Sequence, residues 1–333
     1  MQSVGIIGVG YWGPNYARIL SSLSNVEFRW CCDLNETALS KMQTLYPKTK
    51  TTTKMSDLLT DDTLDAVIVV TPAQTHADIV KKFLESGKHV LVEKPLTTST
   101  SHAKKLIEIS KKKRKILMVD HTFVFNSAVS HLQKIIKSGE LGKILYGYGE
   151  YNALGPIRKD VSAMWDLPHF LYVANFLFES TPTHVSANGR SFYQKGMEDV
   201  VFITLEYPDK SIFNLSCSWI DPVKIRKFTL VGNKKMAVFD DMVHEGKLTI
   251  FDKGVEVSKD PNFANLGLIL RNGDVTIPFV PQKEPLTQVV LTFLEACTKG
   301  KLDISTAKDG LSLVQILEAA QKSLDSNGKK IKL

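Results

Sequence analysis

The chain has 333 residues, more than one ordinary core needs and enough for two domains. With 43% hydrophobic and 23% charged residues it has the composition of a soluble globular protein, and no apolar run reaches the roughly eighteen residues of a membrane span. The formal charge of +7 suits a small anionic ligand; the densest basic run, Lys111-Lys112-Lys113-Arg114-Lys115, ends a predicted helix, where cations complement the dipole, and no nucleic-acid partner is expected.

The N-terminus runs straight into a strand, Val4–Gly8, without the features of a signal peptide, so a cytoplasmic location is expected. Gly8-Val9-Gly10-Tyr11-Trp12-Gly13 follows and opens a stretch with helical spacing, the strand–turn–helix setting of a dinucleotide fingerprint. Gly8 and Gly10 allow a tight turn and close approach of a pyrophosphate; Gly13 lets helix and strand pack. A second strand, Val26–Asp33, ends on an acid twenty residues beyond Gly13, placed to accept from ribose hydroxyls. That acid would repel a 2′-phosphate, so NAD is expected rather than NADP.

Strands are predicted next at Ala66–Val70, His89–Val92 and Ile116–Val119, with helices at Thr75–Ser86 and Ser101–Lys113. The alternation implies a doubly wound parallel sheet. Thr71-Pro72 follows one strand, and Thr75 and His76 open the next helix, where Thr75 serves either as an N-cap or as a cofactor contact. Val92-Glu93-Lys94-Pro95 leaves a lysine at a strand end. It is either paired with Glu93 or exposed, or it is an amine set beside a nicotinamide that tunes its pKa. Pro95 is a candidate cis residue.

From Lys143 to Ile277 the pattern changes to strand after strand: Ile144–Tyr151, Val200–Tyr207, Ser211–Trp219, Phe228–Val231, Lys235–Phe239 and Lys247–Phe251. This predicts an antiparallel sheet and an α+β second domain. One helix is predicted at Met164–Phe178, and two more close the chain, Thr287–Thr298 and Ala307–Leu324. In Trp165-Asp166-Leu167-Pro168-His169 an acid and a histidine stand three apart, on one face if the helical turn is regular. They are either a capping and packing pair or an acid/base pair, with His169 taking a hydroxyl proton. The four cysteines, Cys31, Cys32, Cys217 and Cys297, have no metal-ligand spacing and read as reduced, buried and structural. No metal is expected.

The chain resembles the glucose–fructose oxidoreductase / inositol dehydrogenase (Gfo/Idh/MocA) family over nearly its whole length. The resemblance rests on Gly8–Gly13 extended to Pro14-Asn15, Thr71-Pro72 to His76, Gly87 through Glu93-Lys94-Pro95-Leu96, His121-Thr122-Phe123, and Asp309-Gly310-Leu311. It implies a Rossmann domain over 1–120 and, over 121–333, an α/β substrate domain on a large, mostly antiparallel open sheet. The last helices would pack back toward the first domain, and homodimers or homotetramers would form through the sheet. It implies cofactor contacts from Tyr11, Trp12 and Glu93 as well as the loop glycines, Asp33, Thr71, Pro72, Thr75 and His76. Lys94 would contact the reacting hydroxyl and the nicotinamide ribose, His169 would be the acid/base, Asp166 the upstream acid, and Asn126 a substrate or cofactor neighbour. Relatives usually space that Asp and His four apart with an acid after the His; here the spacing is three and Phe170 follows. The segment Gly155-Pro156-Ile157-Arg158-Lys159-Asp160-Val161 resembles members acting on nucleotide-linked sugars. There Arg158 and Lys159 would meet a diphosphate, or form an exposed basic turn. The implied reaction is NAD-dependent oxidation of a sugar secondary alcohol, for example C3 of a UDP-linked N-acetyl sugar. The alternatives are the reverse reduction of a keto sugar and a dinucleotide-binding sensor or scaffold without turnover.

Overall fold

The computed structural model describes residues 1–155, 157–257 and 268–333; Pro156, part of the segment compared with sugar-nucleotide enzymes, lies outside them. The chain forms two compact units, Met1–Thr122 with Glu284–Gln315 and Phe123–Lys283 with Ile316–Leu333.

The first unit alternates β1 (Gln2–Ile7), α1 (Gly13–Ser22), β2 (Val26–Cys32), α2 (Glu36–Leu45), β3 (Lys50–Thr52), α3 (Met55–Leu59), β4 (Ala66–Val69), α4 (Ala73–Glu85), β5 (His89–Glu93), α5 (Thr100–Lys113) and β6 (Leu117–Asp120). Its six strands pair in parallel in the order β3-β2-β1-β4-β5-β6. The central strands are nearly all apolar because helices cover both faces. Val67, Val69, Val90 and Val92 share one core with Val80, Phe83 and Leu84 of α4, each buried side chain contributing about 1.5–3 kcal/mol. The sequence reading lacks β3, a three-residue polar edge strand with no apolar run to mark it. Lys111, Lys112 and Lys113 fill the last turn of α5, which stops at Arg114 in the left-handed region (φ 53°).

In the second unit come α6 (Ser127–Lys137), β7 (Ile144–Leu154), α7 (Ala163–Asp166), α8 (His169–Phe178), β8 (His184–Arg190), β9 (Val200–Glu206), β10 (Ile212–Ser218), β11 (Ile220–Gly232), β12 (Met236–Asp240), β13 (Leu248–Val257) and β14 (Leu268–Thr276). After them run α9 (Pro285–Lys299), α10 (Ala307–Asp325) and β15 (Ile331–Lys332). Nine strands form one sheet, β14-β13-β12-β11-β7-β10-β9-β8-β15. Every neighbouring pair is antiparallel except β7 with β10. The apolar helix α8 packs on this sheet, where the Phe170 ring lies 5.3 Å from Phe228 and 6.4 Å from Phe239.

Two expectations are corrected, one on the helix over Met164–Phe178 and one on Cys297. The helix predicted over Met164–Phe178 is two helices, because Pro168 has no N–H for a continuing ladder and disfavours helical backbone at Leu167, which has φ −111° and ψ 39°. Residues Glu284–Gln315, including α9, belong with the first unit, where Gln2 Nε2 donates to Leu294 O at 3.1 Å. Cys297 is only half-buried, while Cys31, Cys32 and Cys217 are buried; all four are free thiols. Among the described residues no helix is long and apolar enough to cross a membrane.

Candidate active site

In the first unit the candidate residues sit at the carboxyl ends of adjacent parallel strands. The glycine loop follows β1, Asp33 follows β2, Thr71-Pro72 follows β4, Lys94-Pro95 follows β5 and His121 follows β6. The order reverses between β1 and β4, where open parallel sheets bind ligands.

The glycines divide by role. Gly8 holds φ +94°, and a Cβ there would stand 2.5 Å from Val70 O. A Cβ on Gly13 would meet Gly8 O at 2.4 Å. A Cβ on Gly10 would meet nothing within 4 Å, so that face is open. Helix α1 starts at Gly13 with no side-chain cap. In its first turn Pro14 has no N–H and the Asn15 N–H goes to Trp12 O at 2.9 Å, so a pyrophosphate would meet the open Gly10 face of the loop rather than a row of free helix N–H groups. Tyr11 and Trp12 are exposed beside it, their rings 5.8 Å apart edge to face.

Asp33 is fastened to the same loop. One carboxylate oxygen accepts the Val9 N–H at 2.7 Å and the other the Asn35 N–H at 2.8 Å. Each retains acceptor capacity for a hydroxyl. The residues that follow are Leu34, Asn35 and Glu36, none a partner for a phosphate.

Thr75 is not the N-cap. Helix α4 begins two residues earlier than expected, at Ala73, and the Thr75 hydroxyl bonds Pro72 O and the Thr71 hydroxyl, each at 2.7 Å. His76 is 1% exposed, with Nδ1 2.8 Å from Pro95 O and Nε2 2.8 Å from Thr71 O. It ties the β4 exit to the Lys94-Pro95 turn and has no ring nitrogen left for a ligand, so its contribution to a cofactor site is the shape of that backbone. The Lys94-Pro95 bond is cis.

Sequence reasoning misses what surrounds Lys94. The Tyr16 hydroxyl reaches Glu93 Oε1 at 2.9 Å and also Asp120 Oδ2. Asp120 Oδ1 accepts the Thr122 hydroxyl at 2.7 Å, and Glu93 Oε2 accepts the Lys94 N–H at 3.2 Å. Burial first, and then the Asp120 charge, push the Glu93 carboxyl up to about 8, against the pull of Lys94. Burial likewise raises Asp120. The His121 ring is pushed down to about 3 by burial and then by the Lys94 charge. Burial and the same charge lower His76, against hydrogen bonds that raise it. Tyr16 lies 77 and 104 residues from its two partners, a separation that leaves no local signal.

In the second unit, Asp166 closes α7 and His169 opens α8, on opposite sides of the Pro168 break. The expected regular turn between them is absent. The Asp166 carboxylate accepts the Trp219 indole N–H at 3.2 Å. The His169 ring is 5.1 Å from Tyr151 and 5.2 Å from Phe123. Arg226 lies 5.0 Å from the centre of the Tyr151 ring and 3.7 Å from Asp241. Burial pushes the Tyr151 hydroxyl up to about 12. Tyr151, Trp219, Arg226 and Phe123 are all missing from the sequence-derived site; strand alternation marks Tyr151 only as a residue of one sheet face.

Asn126, expected beside substrate or cofactor, is built into the start of α6. It is buried, its carboxamide oxygen caps α6 by accepting the Ala128 N–H at 2.9 Å, and its nitrogen points to Asp241 at 3.5 Å. Arg158 is exposed and paired with Asp160 at 3.2 Å, and Lys159 is exposed.

The chain matches the family described as "Oxidoreductase family, NAD-binding Rossmann fold" over residues 2–121 and the "GFO/IDH/MocA C-terminal domain" over residues 129–238. An uncharacterized oxidoreductase of Schizosaccharomyces pombe, C26H5.09c, is 28% identical over 86% of each chain. An uncharacterized oxidoreductase of Streptococcus pneumoniae is 25% identical over 63% of this chain and 60% of its own length. Among solved structures, GenD2 from gentamicin A biosynthesis, in complex with NAD, superposes with TM-score 0.85 at 23% identity, over 100% of this chain and 96% of its own. UDP-N-acetylglucosamine 3-dehydrogenase GnnA from Acidithiobacillus ferrooxidans gives 0.80 at 20% identity over 97% of each chain. A putative NADPH-dependent oxidoreductase from Desulfitobacterium hafniense gives 0.84 at 20% identity, over 99% of this chain and 97% of its own. At these identities the superpositions establish the fold.

Proposed function

This chain belongs to the Gfo/Idh/MocA oxidoreductase family, and from that premise we propose that it is an NAD-dependent dehydrogenase oxidising a secondary alcohol of a sugar or nucleotide-linked sugar. One observation carries the reading: a lysine stands at the carboxyl end of β5, two strands from the glycine loop that ends β1, in a sheet whose strand order reverses between β1 and β4. When bound, the nicotinamide supplies the hydride acceptor.

The protein's own residues do the rest. Lys94 holds the reacting hydroxyl and, as an ammonium, stabilises the negative charge that grows on its oxygen as the proton leaves. Within the second unit, His169 fills the acid/base role that the family resemblance implies, and Asp166, which accepts the Trp219 indole N–H, that of the upstream acid. The alcohol thus loses a hydride and a proton and becomes a ketone. NAD is preferred to NADP because Asp33 would repel a 2′-phosphate and none of the three residues after it, Leu34, Asn35 and Glu36, is a cation. A UDP-linked N-acetyl sugar is the first substrate to try, with the exposed Arg158 and Lys159 meeting its diphosphate; GnnA, which shares the fold, carries such a substrate in its name.

The test is absorbance at the nicotinamide band with NAD and a panel of sugars and UDP-sugars. Lys94→Ala should bind NAD nearly as well as the parent and turn over at least about a hundredfold more slowly, the loss expected of a charge-stabilising group. Near-normal turnover in that variant would remove Lys94 from the chemistry.

A further inference from the structure

A single phenol oxygen lies within hydrogen-bonding reach of two carboxyl oxygens, and phenol has one proton to donate. If Glu93 and Asp120 were both ionised, one of the two contacts would set lone pair against lone pair with no hydrogen between. A second proton, on one carboxyl, satisfies both contacts. We infer that Tyr16, Glu93 and Asp120 form a positioning cluster beside Lys94 that keeps one carboxyl proton between its two acids.

The other contacts choose which acid carries the proton. Asp120 is completely buried, and its second oxygen already accepts from the Thr122 hydroxyl. Glu93 has, besides Tyr16, only the Lys94 N–H at 3.2 Å. The anion belongs where the donors are better, so Asp120 is ionised and Glu93 is the acid. The chain then runs from Glu93 O–H to the Tyr16 oxygen and from Tyr16 O–H to Asp120.

Charge repulsion agrees. Among the groups that feel Lys94 are Glu93 on β5, Asp120 at the end of β6, His76 on α4 and His121 after β6. Two ionised carboxyls within reach of one phenol oxygen would repel each other, and a proton on one of them removes that repulsion. Burial's upward push on Glu93 works in the same direction.

The role given to Lys94 rests on the dehydrogenase reading, but the tests use neither substrate nor cofactor, so the two fail separately. The first is infrared spectroscopy of the purified protein across pH. The parent should show the carbonyl band of a buried protonated carboxylic acid near neutral pH, fading as pH rises past about 8, and Glu93→Gln should lack it. No such band, or one that persists in Glu93→Gln, overturns the proton assignment. The second is the same spectrum of Asp120→Asn. Removing the Asp120 charge, which raises Glu93, should move the pH at which the band fades downward. An unmoved fading point in folded protein overturns the pairing of the two acids. Should Asp120→Asn not fold, Tyr16→Phe takes its place. Losing the phenol must shift the infrared band, and an unmoved band counts against the cluster.

Discussion

Gly10 and Gly13 lie three residues apart and respond differently to an added methyl. A Cβ on Gly13 is driven into the carbonyl of Gly8, so Gly13→Ala must move backbone and lose stability. A Cβ on Gly10 enters open space, so Gly10→Ala should melt with the parent while filling the cradle. Its affinity for NAD should fall by about tenfold or more, ~1.4 kcal/mol. Calorimetric titration beside a thermal melt checks both, and an unchanged affinity would put the pyrophosphate elsewhere. The glycines, Asp33 and Lys94 are legible in the sequence because each stands at a fixed offset from a strand end. Tyr16 and Asp120 are not, since an aromatic in a helix and an acid after an apolar run look like ordinary residues until the sheet brings them together. Asn126, whose position suggests a ligand, also has its carboxamide oxygen used to start a helix.

At the scale of elements, the parallel sheet is the most readable part, because strands covered on both faces must be almost wholly apolar and alternate with amphipathic helices. The second sheet is readable where an apolar run announces a strand and lost where none does. β8 carries Ser186, Asn188, Gly189 and Arg190, and β14 is largely exposed. The Pro168 break matters most for chemistry. With Asp166 and His169 on different helices, their orientation comes from what each touches, not from helical spacing. Asp166 accepts the indole N–H of Trp219, the residue that joins β10 to β11. Trp219→Phe keeps an aromatic in that buried place and removes the N–H. It should lower kcat/KM for the sugar by about tenfold, ~1.4 kcal/mol, with NAD affinity unchanged. If kcat/KM does not move, Asp166 is held by something other than Trp219.

For the whole molecule, the buried titratable groups set where along the pH axis the fold is most stable. His89 accepts the Ile116 N–H on Nδ1 at 2.9 Å, which only a neutral ring can do. Burial and then the Lys115 charge push it down to about 4, and His121 lies at about 3. An unfolded histidine titrates near 6.5, so as pH falls from about 6.5 the unfolded chain takes up protons that the folded one refuses. Each ring then removes up to about 1.4 kcal/mol per pH unit, until its folded pKa is reached. His76, also lowered, acts in the same sense. Glu93 has the opposite sign: held up to about 8 in the fold and near 4.3 when unfolded, it stabilises the fold as pH falls through that interval. From about pH 8 down to 6.5 Glu93, with Asp120 raised in the same sense, makes stability rise. Below 6.5 the His89 and His121 rings outweigh the Glu93 carboxyl and stability falls. Urea unfolding midpoints should therefore peak near pH 6.5. His89→Gln retains an acceptor for the Ile116 N–H but cannot titrate, so it should flatten the acid limb while leaving the alkaline one in place. Glu93→Gln should do the reverse. A parent whose stability rises steadily from pH 5 to pH 8 would mean that the carboxyl proton beneath Lys94 is not there.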